Sequence, residues 1–255
     1  MLPLSHLYQL AGRDRNASIN RRLGYALAFV AGAANAGGFL AVHQYTSHMT
    51  GMVASMSDGI VLGLYDLTLS AFGALLFFVV GAAVCSVLVN LARRYQLQSE
   101  YALTLLLEAA LLIVFGLLGS QLSLLPGLLV PVTVMVLAFT MGLQNALITK
   151  VSKSDIRTTH VTGVVTDIGI ELGRLMYWNS RLSPSDTSAQ PNWAKLRMLS
   201  LLLLGFFVGG LAGAYGFKHL GYRFTLVLAA GLVSLVIVPL SQDIWGWWQR
   251  RREQA

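Results

Sequence analysis

The sequence predicts an all-α bundle of membrane helices, and three observations lead to that fold class. Of the 255 residues, 55% are hydrophobic and only 11% are charged, whereas a soluble domain carries about 25% charged residues. The apolar residues are concentrated in separate runs, most of which approach the ~20 residues that a membrane-crossing helix needs. The two halves of the chain also share short motifs in the same order. We therefore expect a polytopic membrane protein with an internal repeat.

After a polar N-terminal tail, residues 1–20, the first repeat (residues 21–125) contains four apolar segments. The second of them is short and is interrupted by Ser55, Ser57 and Asp58, so it is a poor candidate for a full crossing. The four segments span residues 23–42, 50–65, 67–92 and 101–119.

The second repeat (residues 126–242) again contains four apolar segments, and again the second is polar for a crossing helix. A hydrophilic loop, residues 179–195, separates its second and third segments. The chain ends in a basic tail, residues 243–255, whose tryptophans and arginines are typical of an anchor at the membrane interface. The four segments span residues 127–149, 159–177, 196–217 and 222–240.

Four short motifs occur in the same order in each half. Apolar sequence produces chance matches easily, so the shared order, rather than any one pair, predicts a duplication. The paired motifs are Asn35-Ala36 and Asn145-Ala146, His48 to Gly51 and His160 to Gly163, Phe77 to Gly81 and Phe206 to Gly210, and Tyr101 to Leu107 and Tyr222 to Leu228.

The distribution of charge discriminates between six and eight crossings. Eight result if every segment crosses, whereas six remain if the short polar segment of each half is re-entrant or broken. With the N-terminus inside, six crossings place all but two of the 18 Lys and Arg residues, Lys218 and Arg223, in the cytoplasm. Eight crossings distribute them more evenly, so the positive-inside rule favours six. Each repeat then contains an odd number of crossings, which makes the two repeats inverted, as in many transporters.

The motifs around the two short segments resemble those of the YoaK-like family, which are uncharacterised bacterial inner-membrane proteins grouped as a domain of unknown function. The resemblance covers roughly residues 20 to 240 and implies location and fold more than activity. The family commonly has Thr-Gly-Asn in its first half, where this chain has Met52 in place of the asparagine. The matching motifs are His48-x-Thr50-Gly51, Gly142-x-Gln144-Asn145-Ala146, and Thr158-Thr159-His160-Val161-Thr162-Gly163-x-x-Thr166-Asp167.

Placing a polar side chain at membrane depth costs free energy, and such side chains usually face a cavity or a partner. The polar residues of the apolar segments are therefore the candidate site residues. Asp167 and Glu171 share one helix face and could carry protons, the alternative for Glu171 being a structural ion pair with Arg174. Glu108 lies at the centre of an apolar segment, where a proton role and a structural hydrogen bond are equally consistent with the sequence. The other candidates for a solute or ion pathway are Asn35, His48, Thr50, Gly51, Gln144, Asn145, Thr159, His160, Thr162, Gly163 and Thr166.

The residues at the two breaks each have a simpler interpretation. His48 and His160 are expected to cap a helix or bond a loop rather than to ligate a metal. The threonine of each Thr-Gly pair suits hydroxyl capping at a helix start, and the exposed N–H groups there can bind an anion. Glycines spaced four apart, such as Gly205, Gly209 and Gly213, are expected to be helix-packing positions.

These features lead us to expect a small-solute secondary transporter with proton coupling, in a bacterial inner membrane with both termini cytoplasmic. A channel of six helices plus re-entrant segments, or a non-transporting membrane partner or sensor, are the alternatives. The sequence contains no nucleophile–base pair, metal motif or nucleotide motif, so we expect neither an enzyme nor a cofactor. The expected partners are the lipid bilayer and an unidentified small solute or ion, without nucleic acid, and a homo-oligomer is compatible with the sequence.

Overall fold

The computed structural model describes residues 17–97, 99–152, 159–178 and 191–253, and the chain is a bundle of helices throughout these ranges. A short 3-10 turn, Gly221–Arg223, joins the last two α-helices. The eight α-helices are α1 (Ala17–Val42), α2 (Met49–Leu62), α3 (Tyr65–Arg94), α4 (Ala102–Ser120), α5 (Pro126–Val151), α6 (Val161–Trp178), α7 (Trp193–Leu220) and α8 (Phe224–Glu253).

Each predicted apolar segment corresponds to one of these helices, so the all-α membrane bundle is confirmed. The main difference is at the C-terminal end, where α8 continues through most of the predicted tail to Glu253. A helix satisfies its backbone hydrogen bonds internally and need not end where the apolar run ends. Residues 1–16 of the predicted N-terminal tail and residues 179–190 of the predicted loop lie outside the described residues.

Five helical stretches of the described chain are long and apolar enough to cross a membrane. Four of them correspond to α1, α3, α4 and α5. The fifth, Trp193–Ile237, has 45 residues and contains both α7 and the apolar part of α8. The chain reverses between these two helices at Gly221, whose φ of 59° is readily adopted only by glycine. The short α2, with 14 residues, is too short to cross.

Contacts between helices establish the direction in which each one runs. Gln144 donates to the Leu27 carbonyl and Asn20 donates to the Val151 carbonyl, so α1 and α5 are antiparallel. In α4 and α8, Gly119 lies against Tyr222 and Gly116 against Thr225, which makes that pair antiparallel as well.

The most extensive contacts join α1 to α7 and α3 to α5, and both of these pairs are parallel. Gly209 lies against Phe29 and Gly213 against Ala33, so residue numbers rise together along α1 and α7. The corresponding contacts in the other pair are made by Gly73 with Met135 and Gly142 with Phe78. The helices α1 and α7 therefore run in the direction opposite to α3 and α5.

Within each parallel pair, the two helix backbones approach so closely that glycine is required where the helices cross. A Cβ atom on Gly209 would collide with the Phe29 carbonyl, and one on Gly142 would collide with the Phe78 carbonyl. Gly205 has only ordinary contacts. The expectation of a packing face is thus confirmed at Gly209 and Gly213, where small residues let helix backbones approach within the membrane.

The buried core lies where α1, α4 and α5 meet, and the outer faces of the helices are apolar. Leu27, Leu105 and Leu137 are fully buried in this core. By contrast, Phe207 and Leu226 are 60% and 54% exposed. Large apolar side chains exposed on long helices are the expected arrangement when the surrounding medium is lipid.

We predict that Gly209→Ala destabilises the protein, because the added methyl group meets a backbone carbonyl that cannot move away without separating α1 from α7. Overpacking of this kind costs about 1–3 kcal/mol. Thermal unfolding of the purified protein in detergent should show a lower midpoint. Gly231→Ala is the matched control, since nothing lies within 4 Å of its added Cβ; equal midpoints for the two variants would contradict the packing argument.

Candidate functional site

Two asparagine side chains hold the chain inside the bundle at the points where it leaves α1 and α5. The Ser47 hydroxyl donates to Asn35 Oδ1 at 3.0 Å. In the other half, the backbone N–H of Thr159 donates to Asn145 Oδ1 at 3.3 Å, and Asn145 Nδ2 donates to the Thr159 hydroxyl. In both halves an asparagine in the long helix therefore binds the segment that immediately precedes the short helix.

These hydrogen bonds determine the depth at which α2 and α6 begin. Asn35 lies two turns before the end of α1 at Val42, and Asn145 lies nearly two turns before the end of α5 at Val151. Two helical turns span about 10 Å. The chain therefore folds back into the bundle after each long helix, and each short helix starts well below the surface reached by the helix before it.

A histidine lies over the first turn of each short helix and explains the glycine three residues later. A Cβ atom on Gly51 would collide with the His48 ring, and one on Gly163 would collide with the His160 ring. Both histidines immediately precede their helix. Gly51 and Gly163 thus provide the space that the imidazoles occupy, which accounts for the repeated His-x-x-Gly spacing.

The two helix starts and the two asparagines surround one cavity of about 1010 Å³. Most of the residues predicted around the chain breaks lie on its wall. The described residues that line it are Asn35, Tyr45, Ser47, His48, Met49, Thr50, Phe78, Ala82, Gly142, Asn145, Ala146, Thr149, Lys150, Thr159, His160, Val161, Thr162 and Phe206.

Several lining residues were not predicted from the sequence, and Lys150 is the one of them with a charged side chain. Its position at the end of an apolar run suggested a topology signal in a cytoplasmic loop. The helix α5 instead continues past it, and Lys150 follows Ala146 by four residues, on the same helical face. The spacing from Asn145 and Ala146 was the available signal. Among the lining residues that the structure describes there is no Asp or Glu, and Lys150 makes no ion pair with the described chain.

The start of α2 is not capped by a side chain. His48 occupies the capping position and makes no side-chain hydrogen bond to the helix. Thr50, whose hydroxyl the sequence suggested as the cap, belongs instead to the first turn of α2 and lines the cavity. The capping interpretation of Thr50 is therefore wrong, because the helix begins one residue before it at Met49.

Three predicted polar residues in the second half do not reach the cavity wall. Gln144 is fully buried and donates from Nε2 to the Leu27 carbonyl at 2.8 Å. The Thr166 hydroxyl donates to the Thr162 carbonyl in its own helix. Asp167 forms a half-exposed ion pair with Lys195 at 3.4 Å.

Glu171 serves to connect α6 to the beginning of α7. It is 1% exposed and pairs with Arg174 at 2.9 Å through Oε1. Its other oxygen accepts from the backbone N–H of Asn192 at 2.9 Å, the residue that caps α7. These contacts correspond to the structural alternative considered for Glu171.

Glu108, the third predicted acid, forms no ion pair with the described residues. It is fully buried in α4, and neither carboxyl oxygen has a hydrogen-bond partner among the described residues. The thiol of Cys85 is within electrostatic range of both Glu108 and Lys150, and Glu108 does not itself line the cavity. A buried carboxyl group without partners is far less costly as a neutral acid than as a carboxylate.

Comparison with known proteins identifies the family. Residues 23–238 match the family described as "Protein of unknown function (DUF1275)". The chain belongs to this family. It is also 26% identical over 222 residues to the UPF0700 transmembrane protein YoaK of Bacillus subtilis (strain 168), a match that covers 85% of this chain and 94% of the Bacillus protein. The resemblance seen in the sequence is thereby confirmed. No solved structure matches the chain significantly.

We predict for this DUF1275 protein that Gly163→Ala lowers the thermal midpoint, because the methyl group must displace the His160 ring. The displacement costs about 1–3 kcal/mol, against a smaller gain in helix propensity. In a His160→Ala background the same substitution should be neutral or stabilising. The control is Gly169→Ala in the same helix, where the added Cβ meets nothing within 4 Å. Equal destabilisation with and without the imidazole would show that the ring is not what requires glycine.

Proposed function

We propose that this protein is a secondary transporter of a small solute. The observation that carries the proposal is the cavity, which is built from both halves of the chain at the two points where the helices are interrupted. Asn35 and His48 come from one half, and Asn145 and His160 from the other. Transporters commonly bind their solute in this way, between interrupted helices near the middle of the membrane.

The helix directions support an inverted repeat with six crossings. The helices α1 and α5, which begin the two halves, are antiparallel, and so are α4 and α8, which end them. Eight successive crossings would make α1 and α5 parallel. The short helices α2 and α6 are then the broken segments. Together with the distribution of Lys and Arg, this arrangement favours cytoplasmic N- and C-termini in a bacterial inner membrane.

Equivalent contacts between the halves also support the duplication. Gly142 of α5 lies against the Phe78 carbonyl, and Gly32 of α1 lies against the Phe206 carbonyl. Phe78 and Phe206 thus occupy matching positions, although the sequence comparison aligned Phe77 with Phe206. A one-residue shift is a small error, because consecutive phenylalanines give no unique alignment.

We further propose that Glu108 carries the coupled proton. Of the three candidate acids it is the one without a described partner, whereas Asp167 and Glu171 are paired with Lys195 and Arg174. The Cys85 thiol lies within electrostatic range of Glu108 and, separately, of Lys150 on the cavity wall. A carboxyl group in apolar surroundings can gain and lose a proton as nearby charge and hydration change during a transport cycle.

The six-crossing arrangement predicts which side of the membrane each loop faces. In a Cys85→Ala background, a cysteine at Gln96 should react with an impermeant maleimide only from the cytoplasm. A cysteine at Gln121, at the other end of α4, should react only from outside and serves as the matched control. Labelling of both positions from the same side would contradict the proposed topology.

The coupling role predicts different consequences for two acids. In proteoliposomes that enclose a pH-sensitive dye, a panel of small anionic, neutral and cationic solutes should reveal one class that produces a saturable pH change. Glu108→Gln, which mimics the neutral acid, should abolish that pH change, whereas Asp167→Asn should preserve it. A response that persists in Glu108→Gln would refute the role of Glu108, and unsaturable flux would indicate a channel.

A further inference from the structure

The described residues that line the cavity include a positively charged side chain and no negatively charged one. Its wall carries the Lys150 ammonium group and, among the lining residues that the structure describes, no carboxylate. The nearby acids do not compensate for this charge. Asp167 and Glu171 point into ion pairs away from the wall, and Glu108 is enclosed in the core.

We propose that the cavity binds a small organic anion, with Lys150 as the group that pairs with its acidic head. This inference rests on the transport function proposed above and names the class of solute. A cation would meet the lysine without any carboxylate among the described lining residues to balance it. Opposite charges also attract each other more strongly beside apolar walls than in bulk water.

The uncapped helix start contributes to the same selectivity. No side chain caps α2, and its first turn, with Met49 and Thr50, lies on the cavity wall. Val161 and Thr162 place the start of α6 on the wall as well. The N-terminus of a helix carries a partial positive charge and unpaired N–H groups, both of which favour an anion.

The other residues of the cavity wall are suited to bind an organic portion of the ligand. Phe78, Phe206 and Met49 supply apolar surface, and Asn35 and Thr50 supply hydrogen-bonding groups. The volume of about 1010 Å³ is at the upper end of the ~300–1,000 Å³ typical of ligand pockets. A carboxylic acid or phosphate monoester with an apolar portion matches this combination.

The test compares two thiol reagents of opposite charge on a cysteine beside Lys150. Ala146→Cys in a Cys85→Ala background is purified in detergent, and its reaction rates with an anionic and a cationic methanethiosulfonate are measured. The ratio of the rates is normalised to that of a cysteine at Gln121, an exposed loop position. We expect the anionic reagent to be favoured at position 146. Lys150→Gln should lower the ratio about three- to tenfold, and Lys150→Arg should retain it.

Competition identifies the class of anion. Benzoate, benzamide and benzylammonium have similar bodies but different charges, and each is tested for slowing the reaction of Ala146→Cys with N-ethylmaleimide. We expect slowing by benzoate only; phenyl phosphate and inorganic phosphate distinguish a carboxylate from a phosphate ligand. Protection by inorganic phosphate alone would refute the proposal that the ligand has an organic portion. A preference for the cationic reagent or for benzylammonium would refute the whole inference of an anion site.

These outcomes are separate from the fate of the transport proposal. An anion preference at position 146 without flux in proteoliposomes would leave an anion-binding cavity and refute transport. Saturable flux of neutral or cationic solutes, with no anion preference at position 146, would refute the anion inference and leave transport intact.

Discussion

The whole site depends on the hydrogen bonds by which Asn35 and Asn145 hold the chain where it turns back into the bundle. Backbone that leaves a helix at membrane depth loses its internal partners, and each unsatisfied group there costs several kcal/mol. An asparagine amide offers both a donor and an acceptor, so one side chain can anchor the returning segment, as Asn145 does with both the backbone and the hydroxyl of Thr159. Without these anchors the short helices would not start inside the bundle, and no cavity would form between them.

The sequence predicted the helices and the breaks because both have local signals. Apolar runs of crossing length and the repeated Asn-Ala and His-x-Thr-Gly motifs need no knowledge of packing. It could not predict which face of α6 meets the cavity. Asp167 and Glu171 share a face, but that face meets the start of α7 through Lys195 and Asn192. Lys150 was missed for a related reason, since only the continuation of α5 to Val151 places it on the cavity wall.

The two halves of the chain differ in the positions of their ionic groups. Lys150 follows Asn145 by five residues, and the residue five after Asn35 is Leu40. Glu108 likewise has Ala229 as its counterpart, and Ala229 is a buried core residue. Both halves therefore supply packing glycines and polar anchors, whereas the first half alone supplies Glu108 and the second half alone supplies Lys150. The proposed duplication is compatible with this division, because both halves build the cavity wall whereas the proposed anion site needs a single lysine.

The close glycine contacts have a consequence for how the molecule can move. Gly209 allows close packing of α7 against α1, and Gly142 allows close packing of α5 against α3. In each pair, one helix comes from the first half of the sequence and the other from the second half. The boundary between the repeats near residue 125 is therefore not a mechanical boundary. The stiff units of the protein are the mixed pairs α1–α7 and α3–α5, and the cavity wall includes Asn35 and Phe206 from one pair and Phe78 and Asn145 from the other. The proposed transport would therefore require one mixed pair to tilt against the other, and the helices within each half of the sequence would separate from one another.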